Sequence, residues 1–104
     1  MSLVNEVFKA LWAASEGKMK VGSGQLHRDM LADRVRKATG QDVLLIAVDQ
    51  AVDFLAAVGL VKKVVADRIG FIANLTAEGL DMASRGVLPE GERPAPKSPI
   101  GFNA

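Results

Sequence analysis

Residues 55–61 read Leu55-Ala56-Ala57-Val58-Gly59-Leu60-Val61, and the hydrophobic period changes in the middle of them. Up to Val58, apolar side chains recur every three or four positions, as on one face of a helix. Beyond Gly59 they become nearly continuous and β-branched, with Leu60, Val61, Val64, Val65 and Ala66, as in a strand. Glycine reaches positive φ without steric cost, so Gly59 reads as the left-handed residue that closes the helix. Upstream, the pattern predicts a helix over residues 42–58 with Leu44, Val48, Ala51, Val52, Leu55 and Val58 on its inner stripe. Asp42 is placed to cap it and to favour its dipole. Downstream, Asp67-Arg68-Ile69-Gly70 reads as a turn and residues 71–75 as a second strand. Thr76 then caps a short helix over residues 77–85, closed by Gly86.

Farther upstream, Leu3, Val4, Val7, Phe8, Leu11 and Trp12 make a helical stripe over residues 3–15, with Ser2 as cap and Gly17 as stop. Trp12 lies in that stripe and reads as core. Residues 18–24 hold two glycines and form a loop, with a short strand expected at residues 19–21. Ser23 is the expected cap of a second helix over residues 25–38 that turns Leu26, Met30, Leu31 and Val35 inward and ends at Gly40. Three helices packed on an antiparallel hairpin, with a short C-terminal helix, is an α+β arrangement. All four prolines fall at positions 89, 94, 96 and 99. Residues 1–88 are therefore expected to be the domain, and residues 89–104 an extended or disordered tail. Within that tail Ile100 and Phe102 read as a frayed end, the alternative being that Phe102 docks on a neighbouring surface.

The chain resembles the winged-helix superfamily, the helix-turn-helix branch with a β-hairpin wing. Residues 55–61 are similar to the junction between recognition helix and wing. Leu75-Thr76-Ala77-Glu78-Gly79 is similar to the segment that follows the second wing strand. The resemblance covers residues 2–86. It implies a third helix placed in a DNA major groove and a wing near the phosphate backbone.

Composition narrows the chemistry. The 104 residues are 49% hydrophobic and 24% charged, with thirteen Lys and Arg against twelve Asp and Glu, a formal charge of +1. That balance argues against binding nucleic acid by bulk charge. The absence of Cys removes disulfides, thiolate metal sites and cysteine nucleophiles together, and His27 is the only imidazole. His27 is expected on an exposed helix face, and no cofactor or metal is implied. The carboxylate pairs Asp29/Asp33 and Asp49/Asp53 share helix faces at i, i+4 and read as solvated. No nucleophile, base and orienting group can be assembled, so an enzyme is not expected. The longest apolar run, residues 43–48, is far short of the roughly 20 residues that cross a bilayer. With no basic leader at the N-terminus, a soluble cytoplasmic protein without a membrane partner is expected.

Charge is uneven along the chain. Residues 1–41 carry +3, residues 42–58 carry −3 and residues 59–75 carry +2. The helix that the resemblance would bring closest to DNA is the most acidic segment, and carboxylates facing phosphates repel. The leading expectation is a small DNA-binding regulator of double-stranded DNA. It would grip the phosphate backbone through Lys18, Lys20, Arg34, Arg36, Lys37, Lys62, Lys63 and Arg68, with Gln50 able to read adenine. Strand alternation puts Lys62 and Lys63 on opposite faces, so only one belongs to any single patch. The alternative is a protein-interaction module, an adaptor, inhibitor or assembly component. It would use the acidic, apolar third helix through Val43, Leu45, Ile46, Asp49 and Asp53. A homodimer through that helix is expected from its excess of apolar surface.

Overall fold

The computed structural model describes residues 2–66, 68 and 70–90 of the chain. In order they form α1 (Leu3–Ser15), β1 (Gln25–His27), α2 (Arg28–Thr39), α3 (Leu45–Ala57), β2 (Val61–Ala66), β3 (Gly70–Leu75) and α4 (Ala77–Ser84). The three strands make one antiparallel sheet in the order β1-β3-β2. In the register, Leu26 faces Ala73, and Lys63 faces Ala73 from the other side. Phe71, Ala73 and Leu75 alternate along β3 toward the helices and are buried with Phe8, Leu11, Leu31, Val48, Val52, Leu55 and Leu80. The fold is thus α+β, with four helices against one face of a three-stranded sheet.

The two stretches that decide the sequence reading meet in space. Gly59 takes φ 83°, the Leu60 N–H donates back to Leu55 O at 3.0 Å, and the chain turns into β2. Thr76 closes the same corner from the far side. Its hydroxyl donates to Gly59 O at 2.7 Å and accepts from the Gly79 N–H at 3.1 Å, while its own N–H donates to Leu60 O. Gly79 has helical φ, and its glycine is required by proximity: a Cβ there would sit 2.2 Å from Leu60 O. One threonine therefore caps α4 and fastens it to the end of α3.

Several local expectations change. The short strand is residues 25–27 and not 19–21, because β3 offers its free edge there: the Leu75 N–H donates to Gly24 O at 2.9 Å and β1 continues the ladder. Ser23 does not cap α2, since its hydroxyl donates to Lys20 O at 2.7 Å and folds the preceding loop. The residue before α2 is His27, at the end of β1 and exposed, and not within a helix. Met30 is exposed and not inward. Helix α3 begins at Leu45, three residues later than expected, so Asp42 caps nothing. Leu44 and Val58 flank α3, and both are exposed rather than on its inner stripe.

At the C-terminal end the packed region extends past Leu88. The fully buried Asn5 donates from Nδ2 to Glu90 O at 2.7 Å and accepts from the Glu90 N–H at 2.9 Å, and Ser2 donates to the Glu90 carboxylate. The packed region therefore includes Glu90, two residues past the boundary expected after Leu88. Residues 91–104, with Ile100 and Phe102, and the turn residues Asp67 and Ile69 lie outside the described residues.

Candidate interaction surface

Helix α3 is positioned from its N-terminal side by α2. Gly40 leaves α2 in the left-handed region at φ 68°, and Arg36 Nε donates to Val43 O at 2.9 Å. Val43 is buried beneath this loop. That corrects its expected place on an exposed interface, and Arg36 is correspondingly part-buried and committed to holding the turn. From Leu45 onward, Val48, Ala51, Val52 and Leu55 take the inner face.

The opposite face carries two rows at four-residue spacing, the ridges that form a helix surface. One row is Ile46, Gln50, Phe54 and Val58, in which Ile46 is 64% exposed, Phe54 42% and Val58 52%. The other is Leu45, Asp49, Asp53 and Ala57, of which Leu45 is 37% exposed. The expected interface residues Leu45, Ile46, Asp49 and Asp53 are all on this side. Val58, expected on the inner stripe, and Phe54 join them.

The acidic row does not stand free in solvent. Lys63, on the core-facing side of β2, pairs with both Asp49 and Asp53, the latter at 2.7 Å, and its ammonium lies 5.0 Å from the centre of the Phe71 ring. Its side chain is only 17% exposed. The Asp49 and Asp53 hydrogen bonds raise the Lys63 pKa above its ordinary value, against the opposing pull of desolvation. The carboxylate pair, expected on a solvated face and indeed partly exposed, also anchors the hairpin on α3. Sequence spacing could not have paired residues 14 and 10 positions away across a turn. Beyond this clamp the hairpin carries Val64 and Val65 on opposite faces, Val65 being 77% exposed.

The cations expected to grip phosphates are divided among separate elements. Lys18 pairs with Glu16 and Lys37 with Asp33. Arg34 and Lys37 line a groove between α1 and α2 that also holds Glu6 and Lys9, themselves paired at 2.9 Å. Lys20, Arg34, Lys62 and Arg68 make no ion pair among the described residues. They stand respectively on the first loop, α2, the outer sheet face and the hairpin turn, where Arg68 takes φ 73°. Lys62 is exposed and Lys63 turned inward, as strand alternation requires. Gln50 is exposed in the middle of α3. Among the described residues no group of three His, Asp or Glu is placed to hold a metal, and no helix is long and apolar enough to cross a membrane.

Comparison of the chain with protein-family models, curated proteins and solved structures finds no match in any of the three.

Proposed function

We propose that this chain is a non-enzymatic winged-helix interaction module whose third helix, α3, binds protein rather than DNA. The observation that carries the reading is the solvent face of α3. It presents Ile46, Phe54, Val58 and Leu45 around one neutral polar residue, Gln50, and offers no cation. Phosphate recognition draws its free energy from cations that displace counterions, and an apolar face with carboxylates beside it gains none. Support for the winged-helix assignment comes from the element order and the β1-β3-β2 sheet, together with the contact between residues 55–61 and 75–79.

A second reading keeps the DNA-binding regulator. It is favoured by Arg34, Lys62 and Arg68, which make no ion pair among the described residues, and by the exposed Gln50, with α2 and the hairpin as the gripping elements. Titration of random duplex DNA at two salt concentrations separates the two. Three or four phosphate contacts imply an affinity loss of about 40–150-fold between 50 and 200 mM salt. The protein-binding reading expects no salt-dependent DNA binding. It also expects a photo-crosslinking residue at position 50, and not one at position 34, to capture protein. DNA binding with the full salt slope would overturn it.

A further inference from the structure

We propose that the occupant of this face is a second copy of the chain: two α3 helices pack antiparallel across a two-fold axis that passes beside Gln50. The inference rests on the protein-binding reading of α3 and names its partner.

Area is the first argument. The exposed fractions of Leu44, Leu45, Ile46, Phe54 and Val58 amount to about 500 Å², taking roughly 200 Å² for a fully accessible large apolar residue. That is near the upper limit of what a soluble monomer leaves in one patch. With a polar rim, it approaches the roughly 800 Å² per partner of a stable interface.

Self-complementarity is the second. In an antiparallel pair centred on Gln50, four residues toward one end meet four residues toward the other. Ile46 of one copy therefore faces Phe54 of its partner, twice over. Ridges at four-residue spacing pack at about −50°, and helices crossing at that angle part after two or three turns, which leaves Val58 at the rim. Gln50 is the one polar side chain near the centre, and it is the kind that a symmetric contact satisfies. An amide both donates and accepts, so two of them pair with each other or reach the partner's carboxylate row.

Charge is the third. Two α3 helices bearing two Asp each would repel, but Lys63 already pairs with Asp49 and Asp53 in each copy. The row flanking the contact then has one net negative charge rather than two. Asp42 lies outside the helix and away from the centre.

The chain has no native cysteine, so Gln50→Cys introduces a single thiol. Under mild oxidation at tens of micromolar it is expected to form a disulfide-linked dimer at least about ten times faster than Arg34→Cys, because only residues beside the axis approach their own copies within disulfide range. Sedimentation of the unmodified chain should show a dimer. Ile46→Glu should weaken association about a hundredfold while leaving the circular-dichroism spectrum of the fold intact. A chain that stays monomeric at a hundred micromolar, equal cross-linking at positions 50 and 34, or an Ile46→Glu variant that still dimerises overturns the proposal. If the monomer is accompanied by photo-capture of another protein at position 50, only the occupant is wrong. If it is accompanied by salt-dependent DNA binding, the protein-binding reading falls as well.

Discussion

Replacing Asn5 by Ala tests how the C-terminal segment is held. Asn5 is in the first turn of α1 and fully buried, and its amide makes a two-way contact with the Glu90 backbone, at 2.7 and 2.9 Å. Truncation to Ala removes both hydrogen bonds to the Glu90 backbone, which are part-buried, Glu90 itself being exposed. At about 1–1.5 kcal/mol for each bond, the loss is about 2–3 kcal/mol. A domain of this size loses about 4–8 °C of thermal midpoint per kcal/mol, so the expected shift is about 10–20 °C. Thermal unfolding followed by far-ultraviolet circular dichroism, with Trp12 fluorescence as a second probe, measures it. Trp12 is a suitable reporter because it lines a groove with Val87 and Leu88 beside α4.

Two truncations sharpen the test. A chain ending after Glu90 retains the Glu90 hydrogen bonds and should unfold at a higher midpoint than one ending after Leu88. One ending after Leu88 loses it, and water can hydrate the vacated amide, so its cost should be about half that of Asn5→Ala. In the shorter chain Asn5→Ala should then cost less than in the full one, because the two changes remove one shared interaction. The reasoning fails if Asn5→Ala shifts the midpoint by less than about 2 °C. It also fails if ending the chain after Glu90 is as costly as ending it after Leu88, since the Glu90 contact would then carry none of the stability.

Three further outcomes are expected. Gly79→Ala should destabilise by about 3 kcal/mol or more in denaturant titration, even though Ala is the better helix former by about 1 kcal/mol, because its Cβ would press on Leu60 O. Lys63→Met should cost about 1 kcal/mol, less in high salt, since the Asp49 and Asp53 partners are partly exposed. Because folding raises the Lys63 pKa, its stabilisation is complete below 10.5 and is lost as pH rises through the higher folded value; the wild-type advantage over Lys63→Met should therefore hold through neutral pH and vanish in strong alkali. If DNA is bound after all, Arg34→Ala and Lys62→Ala should each lower the salt slope by about one unit, whereas neither should alter self-association.

The sequence by itself determined the helices, the hairpin and the corner between them, because these are set by local patterns. Period 3.6 gives way to near-continuous β-branched residues at a glycine in Leu55-Ala56-Ala57-Val58-Gly59-Leu60-Val61, and Thr76 stands three residues before Gly79. It also placed Leu45 and Ile46 at the surface, since they lie off the inner stripe of their own helix. What it left open depended on partners distant in the chain. Residues 25–27 become β1 because β3 offers them hydrogen bonds, which no propensity of Gln25 or His27 announces. Val43 is buried because Arg36 draws its carbonyl in, and Glu90 is held because Asn5 is buried opposite it. The largest revision concerns charge: Asp49 and Asp53 make α3 the most acidic segment in sequence, yet tertiary packing brings Lys63 between them. Electrostatic energy depends on distance through space, and a sum along the chain does not contain it.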